Sequence, residues 1–141
     1  MINAIKRFFG IFVGKKIDKK LHVLVVEDNE VDRRIVCKIV SKQGHDVTEA
    51  ENGKEGLEIV KLKKPDLILM DCEMPELNGI EMCRAIKDSV ETSDIPVIFL
   101  TGHGTPQNIV ECFGVNAENL LTKPINAKLL VEQIEMISSA E

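Results

Sequence analysis

Three acidic side chains directly follow two apolar runs of the sequence. Glu27 and Asp28 come after the run 23–26, and Asp71 comes after the run 67–70. If both runs are parallel strands, these carboxylates meet at the edge of the sheet where the strands end. Carboxylates so close together repel one another, and Mg2+ relieves the repulsion while also binding a phosphoryl oxygen. The residue types therefore predict a magnesium site that receives a phosphoryl group, with Asp71 as the nucleophile.

A hydroxyl and an ammonium group are predicted at the same edge. Thr101 and Lys123 follow the next two apolar runs of the chain. Lys123 and Mg2+ would offset the three carboxylates and the charge on the phosphoryl oxygens, and Thr101 would donate a hydrogen bond to them. Each residue taken alone also has an ordinary explanation. Asp28 would cap a helix, Asp71 would be a turn residue, Thr101 a strand residue, and Lys123 a solvated charge.

The elements that must position these side chains alternate along the sequence. Periodicity predicts strands at 21–26, 46–50, 66–71, 95–100 and 119–121, and helices at 31–41, about 57–62, 79–87, from 105, and 126–138. Alternation with short loops indicates an α/β fold, in which five helices cover both faces of a five-stranded parallel sheet. We expect a three-layer sandwich with the flavodoxin-like strand order 2-1-3-4-5.

A family resemblance rests on four segments: Val23-Leu24-Val25-Val26-Glu27-Asp28-Asn29, Pro65-Asp66-Leu67-Ile68-Leu69-Met70-Asp71-Cys72-Glu73-Met74-Pro75-Glu76-Leu77-Asn78-Gly79, Pro96-Val97-Ile98-Phe99-Leu100-Thr101 and Leu121-Thr122-Lys123-Pro124. In combination they make residues 21–141 resemble a response-regulator receiver domain. The resemblance implies that Asp71 is the phosphoacceptor and that Glu27 and Asp28 hold Mg2+ with the Glu73 backbone carbonyl. It also implies a switch role for Thr101 and a phosphate-binding role for Lys123. The donor would be a histidine kinase or a histidine phosphotransfer protein of a two-component system.

Several positions depart from the family pattern or flank the site. Receivers often carry Tyr or Phe three residues before the lysine, and this chain has Leu120 there. Leu120 is either an ordinary strand residue or part of a modified output face. Glu73, Gly102 and His103 stand near the expected site entrance, where they would tune the access of water.

Composition sets the broad class of the protein. With 141 residues, 44% hydrophobic and 29% charged, the chain fits one globular domain with a single sizeable core. No apolar run is long enough to span a bilayer. The four cysteines form no C-x-x-C motif, which favours reduced, mostly buried thiols in a cytoplasmic protein.

Residues 1–20 differ from the rest of the chain. They carry six basic residues and one acid, whereas the remainder carries 12 basic and 22 acidic residues. Apolar residues recur there at helical spacing, and we interpret the segment as a basic amphipathic extension. It would contact an anionic membrane surface, dock on a protein surface, or be a disordered lead-in.

Three functions remain open on the sequence. The first is a phosphorylatable signalling switch that acts on a protein target through protein–protein contact, with no direct nucleic-acid binding expected. The second is a phosphohydrolase with an Asp nucleophile, since Asp71-Cys72-Glu73 faintly resembles the Asp-x-Asp start of haloacid-dehalogenase-like enzymes. The third is an interaction module that is never phosphorylated. We favour the switch, which is not a turnover enzyme.

Overall fold

The computed structural model describes residues 19–102 and 105–140. This part of the chain forms five strands and five helices in strict alternation: β1 (His22–Val26), α1 (Glu30–Lys42), β2 (Asp46–Ala50), α2 (Gly53–Lys63), β3 (Leu67–Asp71), α3 (Gly79–Asp88), β4 (Val97–Thr101), α4 (Pro106–Gly114), β5 (Asn119–Thr122) and α5 (Ala127–Ser138). All strand pairs are parallel and the strand order is β2-β1-β3-β4-β5. The predicted fold class and topology are confirmed.

Burial follows the position of each strand in the sheet. Every residue of β3 and β4 is buried, whereas the two edge strands β2 and β5 are largely half-buried or exposed. Since successive side chains of a strand point to opposite faces, β1 contributes Leu24 and Val26 to one apolar cluster and Val23 and Val25 to the other. Helices cover both clusters, which gives the expected three layers.

Each helix begins at a residue whose side chain accepts a backbone hydrogen bond. The caps accept from the N–H three residues later at 2.8–3.2 Å. This satisfies one of the donors that a helix start leaves unpaired. The capping residues are Asn29, Asn52, Asn78, Thr105 and Asn126.

Most boundaries differ from the predicted ones by at most two residues, but α2 begins at Gly53, four residues before its predicted start. The fourth strand was expected from Ile95, but β4 begins at Val97. Pro96 has no N–H to donate to the ladder, although its carbonyl still accepts from Ile68 N at 3.0 Å. The predicted extension lies outside the described residues except for Lys19 and Lys20, so the division at residue 20 stays a prediction. None of the helices in the described part is long and apolar enough to cross a membrane.

Gly79 lets the loop after β3 fold back closely against the end of that strand. Its N–H donates to the Cys72 carbonyl at 2.9 Å, and a Cβ on Gly79 would lie 2.1 Å from the Asp71 carbonyl oxygen. Both groups belong to the backbone, so neither can move away on its own. We expect Gly79→Ala to lower the free energy of unfolding by about 3 kcal/mol in urea denaturation.

Gly114→Ala is the matched control, since Gly114 also lies in a helix but a Cβ added to it would meet nothing within 4 Å. Its free energy of unfolding should change by less than about 1 kcal/mol. Equal stability of the two variants would contradict the proposed close approach at Gly79.

Candidate functional site

The carboxyl ends of β1, β3, β4 and β5 gather the candidate side chains at one edge of the sheet. Strand register accounts for the convergence, because Val26 pairs with Met70 and Asp71 pairs with Leu100. Glu27, which follows Val26, therefore lies beside Asp71, which follows Met70, and Thr101 follows Leu100 on the next strand. Glu27, Asp28, Asp71, Thr101 and Lys123 all follow or end these strands.

Three carboxylates form a compact group at this edge. One oxygen from each of Glu27, Asp28 and Asp71 lies within 4.8 Å of the other two. Glu27 and Asp71 are buried, with 4% and 8% exposure, whereas Asp28 is exposed. Oxygen ligands at this spacing suit a hard divalent cation, and the exposed third member leaves it a route of entry.

Asp28 takes no part in capping α1. The capping residue is Asn29, whose side chain accepts from Asp32 N at 2.9 Å. The ordinary explanation for Asp28 as a helix cap is therefore wrong. Its carboxylate remains at the edge of the sheet, beside those of Glu27 and Asp71.

Lys123 places its ammonium group among the carboxylates. Its Nζ donates to Asp71 Oδ2 at 3.2 Å and to Asp32 Oδ2 at 3.1 Å, and it also pairs closely with Glu27. The Lys123 side chain is 18% exposed, so these ion pairs are only partly screened by water. The peptide bond between Lys123 and Pro124 is cis.

Burial and neighbouring charge perturb the pKa values of this group. Burial raises the pKa of the Glu27 carboxyl to about 7, the nearby Asp71 carboxylate adds to the rise, and Lys123 opposes it. Burial acts to lower the pKa of Lys123, but hydrogen bonds to Glu27 and Asp32 outweigh it and leave that pKa raised. Lys123 therefore stays protonated, and the buried carboxylates are poorly solvated for their charge.

Two residues of α1 support the site and were not identified from the sequence. Asp32 gives Lys123 a third carboxylate partner, and it lies one helical turn after Asp28. Buried Arg33 donates from Nη1 to the Glu27 carbonyl at 2.8 Å and from Nε to Glu49 at 3.2 Å. Arg33 thereby fixes the backbone from which Glu27 projects.

The loop after β3 borders an open cleft beside the carboxylates. Glu73 N donates to Asp71 Oδ1 at 3.2 Å, and the Glu73 side chain is exposed. The cleft has a volume of about 490 Å3 and is lined by Asp28, Cys72, Glu73, Met74, Pro75, Asn78, Ile80, Asn108 and Glu111. Of the residues predicted to tune access, Glu73 lines this cleft, Gly102 is exposed, and His103 lies outside the described residues.

The two predicted switch positions lie on neighbouring strands, two residues apart in register. Thr101 is fully buried at the end of β4, and its hydroxyl is hydrogen-bonded with the Cys72 sulfur. Leu120 is half-buried, packs against the apolar cluster beneath α3 and α4, and pairs in register with fully buried Phe99. An aromatic ring is therefore present in this part of the sheet, on β4.

Known proteins share this fold and sequence pattern. The family model of the response regulator receiver domain matches residues 23–135. The chain is 35% identical over 115 residues to protein PilH of Pseudomonas aeruginosa, covering 82% of this chain and 95% of PilH. It is 32% identical over 113 residues to the polar-differentiation response regulator DivK of Brucella anthropi, covering 80% and 92%. Chemotaxis protein CheY4 of Vibrio cholerae superposes with a TM-score of 0.78 at 27% identity, covering 84% and 98%.

Proposed function

Because the chain belongs to the response regulator receiver domain family, we propose that it is a switch phosphorylated on Asp71. The donor is a histidine kinase or a histidine phosphotransfer protein of a two-component system. One observation carries the proposal most strongly. Asp71 Oδ2 lies 3.2 Å from Lys123 Nζ, and the Asp71 carboxylate also belongs to one compact group with those of Glu27 and Asp28.

In the proposed reaction, a carboxylate oxygen of Asp71 attacks the phosphorus atom. The bond from oxygen to phosphorus forms as the bond from phosphorus to the donor's histidine nitrogen breaks, and the nitrogen keeps the electron pair. Lys123 already contacts Asp71, so its ammonium group is placed to stabilise charge on the transferred oxygens. The Glu73 N–H donates to Asp71 Oδ1 at 3.2 Å and so fixes the orientation of the Asp71 carboxylate.

Glu27, Asp28 and Asp71 would hold Mg2+, together with the Glu73 backbone carbonyl. When bound, the ion supplies positive charge that offsets the carboxylates and the incoming phosphoryl oxygens. The residues fit this cation because three oxygens converge within 4.8 Å and two of them come from buried carboxylates. Burial and, to a smaller extent, the Asp71 carboxylate raise the pKa of Glu27, so its charged form is costly and a bound cation would lower that cost.

Phosphorylation adds about two negative charges at the edge of the sheet. We propose that the Thr101 hydroxyl then leaves the Cys72 sulfur and donates to a phosphoryl oxygen. That movement favours a second conformation around β4, α4 and β5, including Leu120. The signal passes to a protein target by protein–protein contact, with no direct nucleic-acid binding. Cytoplasmic location, and contact of residues 1–20 with an anionic membrane surface, remain predictions.

Mg2+ is expected to stabilise the folded protein. Binding at ten times the dissociation constant contributes about 1.4 kcal/mol, which for a domain of this size raises Tm by about 5 °C. Thermal unfolding followed by circular dichroism, with and without Mg2+, measures the shift. Asp28→Asn should remove most of it, because one of the three converging oxygens loses its charge. Asp88→Asn, an exposed change at the end of α3, should retain the full shift.

Acetyl phosphate with Mg2+, followed by intact-mass measurement, tests the proposed function. We expect a gain of one phosphoryl group, about 80 Da, that disappears when EDTA removes the cation. Steady turnover of a phosphomonoester such as p-nitrophenyl phosphate would favour the phosphohydrolase instead. Absence of any mass gain would overturn the proposal in favour of an interaction module.

A further inference from the structure

Two cysteine sulfurs lie in contact between the loop after β3 and helix α4. Cys72 directly follows Asp71, Cys112 lies on α4, and their sulfur atoms are 3.4 Å apart. Cys72 is 5% exposed and Cys112 is fully buried. The contact joins two segments that are 40 residues apart in sequence.

The other two cysteines are differently placed. Cys37, on α1, packs against the apolar cluster on the opposite face of the sheet from Cys72 and Cys112. Cys83 shares their cluster, but its thiol donates to the Val115 carbonyl at 3.6 Å. Among the described cysteines, Cys72 and Cys112 are therefore the pair that the fold places in sulfur contact.

We propose that Cys72 and Cys112 are an oxidation site at which a hydroperoxide joins the two sulfurs in a disulfide. The bond would tie the loop after Asp71 to α4. A disulfide is about 2.05 Å long, so the sulfurs must approach each other by roughly 1.4 Å from their present 3.4 Å separation. Side-chain rotation, with any accompanying shift of α4, has to supply this approach.

The chemistry proceeds in two balanced steps. Cys72 lines the open cleft and is 5% exposed, whereas Cys112 is fully buried, so we place the first oxidation at Cys72. The Cys72 thiol loses its proton, its sulfur attacks one oxygen of hydrogen peroxide, and the O–O bond breaks, which leaves a sulfenic acid and a hydroxide that takes up the lost proton as water. The Cys112 sulfur then attacks the Cys72 sulfur, the S–O bond of the sulfenic acid breaks, and its hydroxyl leaves with the Cys112 proton as a second water while the disulfide forms. Hydrogen peroxide is reduced and the two thiols are oxidised by two electrons in total.

The surroundings of the two sulfurs limit the access of an oxidant in the resting protein. Cys72 is 5% exposed and Cys112 is fully buried. Oxidation therefore needs sustained exposure to peroxide, and the pair stays reduced in a reducing compartment.

The consequence for signalling rests on the proposed function, whereas formation of the disulfide does not. In the reduced protein the Cys72 sulfur is hydrogen-bonded with the Thr101 hydroxyl. The disulfide draws that sulfur toward Cys112 and restrains α4, the helix next to β5. We expect the oxidised protein to accept a phosphoryl group more slowly than the reduced one.

Treatment of the folded full chain with hydrogen peroxide tests the site. We expect the intact mass of the treated chain to fall by about 2 Da relative to the untreated chain, and dithiothreitol to reverse the change. After the remaining thiols are blocked and the chain is digested, we expect a peptide in which Cys72 is joined to Cys112. Cys83→Ser and Cys37→Ser should retain this linked peptide. Cys72→Ser and Cys112→Ser should lack it, with circular dichroism showing that they are folded.

Two results would overturn the proposed oxidation site. One is a disulfide-linked peptide that contains Cys83 or Cys37 instead of the Cys72–Cys112 pair. The other is addition of oxygen to Cys72 with no link to Cys112. Acetyl phosphate labelling of the oxidised and the reduced Cys83→Ser protein distinguishes failure of the disulfide from failure of Asp71 phosphorylation. A disulfide without any mass gain in the reduced protein supports the oxidation site and counts against Asp71 phosphorylation only.

Discussion

Asp71→Asn is expected to abolish phosphoryl transfer while leaving the fold intact. An amide oxygen cannot serve as the nucleophile, so acetyl phosphate and Mg2+ should give no mass gain. The Asn oxygen can still accept from Glu73 N, and the loss of one charge relieves repulsion from Glu27 and Asp28. The free energy of unfolding without Mg2+ should therefore fall by less than about 1 kcal/mol.

Asp66→Asn is the matched control, since Asp66 immediately precedes β3 at its opposite end. Its Oδ2 accepts from His22 N at 2.8 Å, so this change affects a structural hydrogen bond. We expect it to retain the full mass gain with Mg2+. A phosphoryl gain that persists in Asp71→Asn but is lost in Asp66→Asn would contradict the assignment of Asp71.

Lys123→Ala is expected to lower both stability and the rate of phosphorylation. It removes the cation that contacts Glu27, Asp32 and Asp71, and it leaves two buried carboxylates without compensation. Breaking a buried ion pair from one side costs about 3 kcal/mol of unfolding free energy. Loss of one charged group at the phosphoryl oxygens should slow labelling by about a hundredfold. Urea denaturation without Mg2+ and a time course of intact mass measure the two effects.

Lys87→Ala is the matched control that separates the effect of Lys123→Ala on stability from its effect on the rate of phosphorylation. The Lys87 side chain is 9% exposed, and its Nζ donates to the Ile95 carbonyl at 2.6 Å and contacts Glu118 at 3.4 Å, away from the carboxylate group. We expect this variant to lose stability as well but to be labelled at the wild-type rate. If both lysine variants were labelled at the same reduced rate, the effect of Lys123 would be one of stability alone.

The central part of the site could be predicted because strand ends are readable from the sequence. Apolar runs that end in Asp28, Asp71 or Thr101 locate the edge of a parallel sheet, and the sheet order brings the ends together. The structure places Glu27, Asp28, Asp71 and Lys123 in one group, while their roles in phosphoryl transfer stay proposals. The strand order was predictable for the same reason, since short loops and right-handed crossovers leave few alternatives.

Other features depend on side-chain packing that a strand and helix pattern does not specify. The role of Asp32 depends on the rotation of α1, which brings its carboxylate within 3.1 Å of Lys123 Nζ. The contact of Cys72 with Cys112 depends on how α4 packs on the loop after β3. A cap at Asp28 was a reasonable alternative from the sequence because Asp28 and Asn29 are adjacent and both favour helix starts, and the structure places Asn29 at the cap.

Localisation of the phosphorylated side chain is the most direct test of the central claim. Sodium borohydride reduces an aspartyl phosphate to homoserine, and tandem mass spectrometry of the digested chain then identifies the position. After treatment with acetyl phosphate and Mg2+, we expect homoserine at position 71 and at no other acidic residue. Homoserine at another position, or a labelled chain with none at position 71, would contradict the account.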